Sequence, residues 1–283
     1  MSAGWLIYSE KDAIKNASYI EWFQLEATKQ GLSLQLIIRE QLTIGINRNQ
    51  PILYYDNKHI SKPDFAVVRY MDPLLSRHLE RKGISVFNSS TISETFNHKG
   101  YTHDAIIQTG VPMPDTYYYS NGLLPHNPPL EFPFISKVVN GKGGKQVTLI
   151  HHMKEWNTYK LNCQSDIILQ STEDIQFGKD IRVFVIGKQI IGAVLRESNT
   201  DFRANYTLGG TVSMYTLTSH QRALIQKIID EFHFDMVGID FLLSTKGEIL
   251  FNEIEDVVGS RTWSKVSNIN LLELYIKHIK SSI

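Results

Sequence analysis

Asp240 sits inside Val237-Gly238-Ile239-Asp240-Phe241-Leu242-Leu243, an apolar run of strand character, and Glu253 and Glu255 end a second run at residues 248–255. With Ser244-Thr245-Lys246-Gly247 between them, the two runs are expected to pair as a hairpin. An even loop, either Lys246-Gly247 or all four residues from Ser244, sets Asp240 opposite Glu253 or Phe251; an odd loop breaks the relationship. Because strand side chains alternate, the even loop places Asp240, Glu253 and Glu255 on one face. Like charges there cost several kcal/mol unless a cation answers them. Carboxylates with no Cys or His nearby suit Mg²⁺. Structural pairing with Arg196, Arg203 or Arg261 is the other reading, and the hairpin pattern leaves both open.

Gly141-Lys142-Gly143-Gly144-Lys145 joins two predicted strands at residues 134–139 and 146–150. Glycine lets backbone N–H groups come close to phosphate. The loop is not of Walker A type, since Gln146 replaces Ser/Thr and a strand rather than a helix follows. Taken alone it reads more readily as a flexible basic turn. Lys137, inside an apolar strand, must snorkel or meet an anion. Lys99 lies between a polar cluster at 89–93 and a helix expected from Tyr101, an ordinary surface position. Asp201-Phe202-Arg203-Ala204-Asn205, followed by Gly209-Gly210, combines a bidentate donor with an amide. His151-His152 is read as a surface or loop pair, because neighbouring strand residues point to opposite faces.

These residues need a scaffold, and the chain is long enough for about two domains. It has 283 residues, 42% hydrophobic, with 29 basic against 29 acidic side chains and one Cys. Zero net charge argues against holding nucleic acid or an anionic membrane by bulk charge. Cys163 alone makes no internal disulfide and no thiolate metal site, and no run approaches the ~20 apolar residues of a membrane span. A soluble, cytoplasmic protein is expected. Strands at 5–8, 34–38, 65–68 and 86–87 alternate with helices at 17–30 and 74–82, an α/β layer ending near residue 95. Six prolines between Pro112 and Pro133 mark a connection between domains. Further on, Gly187-Lys188 turns a hairpin, Thr218 with Gln221 forms a capping box, and Asn270 opens a C-terminal helix.

The order of these pieces from residue 88 onward resembles the ATP-grasp superfamily and, within it, the RimK-type carboxylate-amine ligases. The matching residues are Lys99 before a helix, Lys137 with Gly141 to Gly144, Asp180-Ile181-Arg182, Asp201-Phe202-Arg203-Ala204-Asn205, Gly238-Ile239-Asp240 and Glu253-Ile254-Glu255. The resemblance implies an α/β (α+β) ATP-grasp fold in three parts. These are an N-terminal pre-ATP-grasp domain at 1–95, a linker helix and lid domain with the Gly-rich loop at 96–178, and a C-terminal domain with the metal site at 179–283. It implies that Lys99, Lys137, Gly141, Gly143 and Gly144 meet ATP phosphates, that Ser171 and Thr172 bond adenine by backbone, and that Asp180 lies near the ribose. Arg203 and Asn205 would act at the terminal phosphates as the catalytic pair. Asp240, Glu253 and Glu255 would hold Mg²⁺, with Mn²⁺ as an alternative. The family usually has Asn at the position of Glu255, and Ser-Pro-Gly where Asp256-Val257-Val258-Gly259 stands here.

The expected activity is ATP- and Mg²⁺-dependent joining of a carboxylate to an amine through an acyl phosphate, on small-molecule or peptide substrates. No nucleic acid or membrane is expected as partner, and homo-oligomerisation is left open. Arg69, Arg196 and Arg261 are candidates for gripping the substrate carboxylate, with structural ion pairs as the alternative. A kinase or non-amide ligase on the same ATP site, and a nucleotide-binding module without turnover, are the rival readings.

Overall fold

The computed structural model describes residues 2–144, 146–204 and 210–283. The chain begins with β1 (Ser2–Tyr8), α1 (Glu10–Lys15), α2 (Ala17–Lys29) and β2 (Leu32–Ile38), and a meander follows of β3 (Leu42–Asn47), β4 (Gln50–Tyr55) and β5 (Lys58–His59). Next come β6 (Phe65–Val68), α3 (Pro73–Arg81) and β7 (Ser85–Phe87). The order β2-β1-β6-β7 makes a parallel sheet. The meander is a separate antiparallel sheet, outside the strands expected from the sequence. Its turns, Arg48-Asn49 and Asp56-Asn57, take positive φ in two-residue hairpins, where Asn is tolerated.

Two short helices, α4 (Ser90–Phe96) and α5 (Lys99–Ile107), lead to β8 (Thr116–Tyr119), β9 (Phe134–Val138), β10 (Val147–Ile150), α6 (Met153–Asn162) and β11 (Ile167–Ser171). These strands form an antiparallel sheet ordered β10-β9-β11-β8. The proline window is therefore not a bare connection. It carries β8, which pairs on one side only, as an edge strand.

The remaining elements are β12 (Ile175–Ile186), β13 (Gln189–Glu197), β14 (Thr211–Tyr215), α7 (Ser219–Glu231), β15 (Met236–Ser244), β16 (Ile249–Glu255), α8 (Trp263–Val266) and α9 (Leu271–Ser282). The sheet runs β14-β13-β12-β15-β16. Period two divides β12 cleanly. Ile181, Val183 and Val185 join the core under Ile225, Ile228 and Ile229 of α7. On the opposite face, Phe184 and Ile186 pack with Leu272, Tyr275 and Ile276 of α9 and with Phe23 of α2. The same face carries Asp180 and Arg182 further along, so the apolar half anchors the strand while the charged half is presented to a cleft.

The β15–β16 hairpin departs from the expected loop. Its ladder closes at Leu243 opposite Ile249, an odd loop of residues 244–248, and that parity by itself would turn Glu253 toward the core side of Phe251. A bulge between the Phe241–Phe251 and Asp240–Glu253 pairs absorbs Asn252 and restores the register. Phe251 and Ile254 stay in the core while Asn252, Glu253 and Glu255 remain half-buried.

Candidate active site

On the charged face, strand pairing sets Asp180 opposite Arg196 and Arg182 opposite Asp240. Arg182 donates from Nε to Asp240 Oδ1 and from Nη2 to Oδ2, both at 2.7 Å. Arg196 Nη2 lies 2.7 Å from both Asp180 Oδ2 and Asp240 Oδ2. Arg182 also reaches Glu255 at 2.6 Å. Gly238 makes the first pair fit: a Cβ there would lie 3.3 Å from Arg182 Cδ and 2.7 Å from Val258 Cγ2. The guanidinium thus lies across a strand position that has no side chain.

The lysines close the cluster from the other sheet. Lys99, in the first turn of α5, pairs with Glu253 at 3.1 Å and donates to the Gly141 carbonyl at 2.9 Å, so it is not the surface residue that its sequence context suggested. Lys137 neither snorkels nor touches an anion. It is buried and donates to two side-chain carbonyls, Gln170 Oε1 at 2.6 Å and Asn252 Oδ1 at 2.7 Å. Burial pushes its ammonium down to about 8, against the pull of Glu253. Burial likewise works against ionised Glu253, but Lys99 and Lys137 override it and hold that carboxyl at about 2. Burial raises Asp180 and Glu255, opposed by Arg196 and Arg182 respectively.

Oxygens of Asp240, Glu253 and Glu255 lie within 4.8 Å of one another. Two oxygens on one Mg²⁺ at about 2.1 Å are at most about 4.2 Å apart. Of three oxygens on one octahedral ion at most one pair is that far apart and neighbours lie about 3 Å apart, so the carboxylates would draw together by up to about 2 Å; hard carboxylates without thiolate or imidazole suit that ion in kind.

Two cavities meet at this cluster. The first, under the Gly-rich loop, is lined by Lys99, Lys137, Gly141, Gly143, Gly144, Ser171, Thr172, Asp180, Arg203 and Glu253. Gly143 and Gly144 both take positive φ, near +61° and +72°, which the tight loop requires. The second, about 430 Å³, is lined by Arg69, Arg182, Arg196, Arg261, Glu253 and Glu255 among others. Lys99, Gly141, Gly143 and Glu253 belong to both. Arg203 is held by the Asp201 carboxylate at 2.6 Å and donates to the Gly144 carbonyl, tying its segment to the loop. Asn205 lies outside the described residues. Thr172 Oγ1 donates to the Pro133 carbonyl at 2.6 Å, and Ser171 N–H to Asp115 O at 2.9 Å.

Of the three arginines proposed for substrate, Arg196 directs Nε and Nη2 to Asp180 and Asp240, and Arg261 bonds Asn16 at 3.2 Å on an exposed rim. Arg69 is buried. Sequence reasoning named Arg182 only within its run and missed Gln170, Asn252 and His103. His103 is buried in α5 with both ring nitrogens unpartnered, and burial together with Lys137 pushes it down to about 3. Arg182 meets its partner 58 residues away in sequence, a distance at which only sheet pairing carries a signal.

The pattern of a RimK-like ATP-grasp domain matches residues 106–279, well over half of the chain. Human beta-citrylglutamate synthase B is 26% identical over 262 residues, covering 86% of this chain and 67% of the relative. The glutamate–LysW ligase ArgX of Sulfurisphaera tokodaii is 28% identical over 239 residues, covering 80% of this chain and 85% of the relative. Among solved structures, the ATP-grasp ligase PsnB complexed with minimal precursor superposes with a TM-score of 0.73 at 14% identity, covering 100% of this chain and 99% of that one. The same ligase complexed with minimal precursor, Mg and ADP gives 0.68 at 13% identity, covering 98% and 97%.

Proposed function

This chain belongs to the RimK-like ATP-grasp family, and from that premise we propose that it joins a carboxylate to an amine at the expense of ATP. A substrate carboxylate oxygen attacks the γ-phosphorus and the bond to the β-phosphate oxygen breaks, giving an acyl phosphate and ADP. The amine nitrogen then attacks the acyl carbon, inorganic phosphate leaves, and the amine proton is lost to water. Phosphoryl transfer asks the protein for position and charge rather than for a nucleophile.

The observation that carries this reading is the junction of the two cavities at Lys99 and Glu253, with Asp240 and Glu255 beside them. On this reading ATP takes the first cavity, with Lys99 and Lys137 toward its phosphates, the Gly141 to Gly144 loop over them, Ser171 and Thr172 at adenine and Asp180 toward the ribose. Arg203 and Asn205 serve the terminal phosphate, Arg203 after leaving Asp201. Asp240, Glu253 and Glu255 would hold Mg²⁺, or Mn²⁺ by the same oxygen chemistry; such an ion would neutralise phosphate charge when bound. Arg182, held between Asp240 and Glu255, lines the second cavity, where on this reading it would answer the negative charge that builds on the reacting oxygens. The Gly-rich loop keeps water from the acyl phosphate.

Among the described residues no helix is long and apolar enough to cross a membrane, and the single unpaired Cys163 suits the reducing cytoplasm, where Mg-ATP is abundant. The acid and amine occupy the second cavity as small molecules or the end of a peptide. Phosphate release from ATP and Mg²⁺ across a grid of acids and amines tests the reading: release is expected only with a matched pair, and uniform silence or pair-independent release contradicts it.

A further inference from the structure

The open end of the β15–β16 hairpin is held by a side chain that neither strand supplies. Asn88 follows β7 and is buried. Its Oδ1 accepts from the Asp235 and Met236 amides at 2.6 and 3.2 Å, and its Nδ2 donates to the Met236 carbonyl at 2.9 Å. The same Nδ2 lies 2.9 Å from Asp256 Oδ1 and 3.3 Å from the Asp256 carbonyl oxygen. Strand pairing ends at Gly238 opposite Glu255, so the Asn88 amide takes the place of the next rung. Its partners fix its orientation, because turning it over would set donor against donor.

Asp256 comes directly after Glu255, the last residue of β16, and is 6% exposed. Among the described residues it forms no ion pair. Its two carboxylate oxygens are taken by amides instead, Oδ1 by Asn88 and Oδ2 by Asn97 Nδ2 at 2.9 Å. Asn97, just past α4, is anchored in turn by the Ser93 carbonyl at 2.8 Å. A buried carboxylate left without such a donor is costly, so these bonds resist displacement. The chain is thereby gripped at the residue after Glu255 and, on β15, at Met236 on the approach to Asp240. Arg182 holds the Glu255 carboxylate itself at 2.6 Å. Carboxylates converge on an ion only as well as the groups behind them hold the chain.

We propose that Asn88 and Asn97, acting through Asp256, are positioning residues for the metal. They fix the point at which Glu255 leaves β16, so that its carboxylate meets those of Asp240 and Glu253 on one ion. This rests on the reading of those three acids as the Mg²⁺ set and adds the part of the chain that holds the set in place.

The test reads metal binding without turnover. ADP binding to the full-length protein is measured by calorimetry with and without Mn²⁺, and the factor by which the ion tightens ADP is the readout. Asn97→Ala, a change between neutral residues, is expected to lower that factor about tenfold. A purely structural role predicts a lower melting temperature with the factor unchanged in the folded protein, and that result overturns the proposal. Exchanging donor and acceptor is the rescue. Asp256→Asn should lower the factor about tenfold as well, and Asp256→Asn combined with Asn97→Asp, which remakes the bond in reverse, should return it to within about threefold of the parent. If Asn97→Ala does not fold, the exchange decides, and a combined variant no better than Asp256→Asn overturns the proposal. Glu253→Gln separates the two claims. A factor untouched by Glu253→Gln sinks the metal reading and this proposal with it, whereas a loss there beside no change in Asn97→Ala sinks the positioning role alone.

Discussion

Arg182 and Asp240 face each other across β12 and β15, joined by two hydrogen bonds of 2.7 Å, with Asp240 fully buried. The acid that belongs to the proposed metal set is also the counter-ion that keeps Arg182 and Arg196 in the interior. Asp240→Asn therefore has two effects, loss of ATP turnover and destabilisation by ~3–5 kcal/mol, as expected when one partner of a buried ion pair is removed. Glu253→Gln separates them. Its side chain is 29% exposed and meets Lys99 at the cleft, so turnover should vanish while the stability lost with the charge that answers Lys99 and Lys137 stays below that of Asp240→Asn. Thermal denaturation beside ATP consumption checks both variants, and equal destabilisation by the two would count against this division.

Gly238→Ala tests the space beneath Arg182. A Cβ at 2.7 Å from Val258 Cγ2 and 3.3 Å from Arg182 Cδ forces both to shift. A loss of ~1–3 kcal/mol is expected, as for overpacking generally. Turnover should fall further than stability explains, because the guanidinium is displaced from Asp240. Denaturant melts with steady-state kinetics give the two numbers.

Glu255→Asn moves the chain toward the more usual family residue. Arg182 loses its contact with Glu255 and keeps Asp240, while the acid cluster falls from three carboxylates to two. Mg²⁺ affinity follows the charge of its ligand set, so half-saturating Mg²⁺ should rise by roughly tenfold with turnover preserved at high Mg²⁺. A Mg²⁺ titration of phosphate release measures this. Inactivity at every Mg²⁺ concentration would mean that Glu255 does more than contribute charge.

Lys137 sets a pH dependence. Its ammonium, lowered by burial to about 8, is charged below that pH and loses its proton above it. Phosphate favours the charged form, so the nucleotide complex holds the proton that the free protein releases. ATP affinity should be flat below about pH 8 and fall by up to about tenfold per unit above it. Lys137→Arg, charged throughout, should flatten the curve. Equilibrium binding of ATP across pH 6.5 to 9.5 is the measurement, with those limits as rough bounds around that value.

Much of this site was legible in the sequence because its residues announce themselves against their surroundings. Asp240 breaks an apolar strand, and glycines crowd between Lys137 and the next strand. Local caps were legible too: Thr218 with Gln221 and Asn270 with Glu273 both form as their residue types dictate. What escaped was non-local or compensating. The bulge at Asn252 corrects an odd loop, and neither is visible unless strand pairing is known. Arg182 gained its meaning only when β12 was placed beside β15; the β3–β5 meander, by contrast, was there to be read, since β3 alternates Leu42, Ile44 and Ile46 with Thr43, Gly45 and Asn47 before the Arg48-Asn49 turn. Lys99 looked ordinary because the sheet that brings Glu253 to it lies more than 150 residues away.

Acyl phosphate formation is the step that separates a carboxylate-amine ligase from other uses of an ATP site. With hydroxylamine in place of the amine, and ATP, Mg²⁺ and a panel of carboxylic acids, the ligase assignment predicts a hydroxamate formed one-for-one with ADP. It should appear only with a suitable acid and be lost in Glu253→Gln. ADP without hydroxamate for every acid, or a hydroxamate yield untouched by Glu253→Gln, would contradict it.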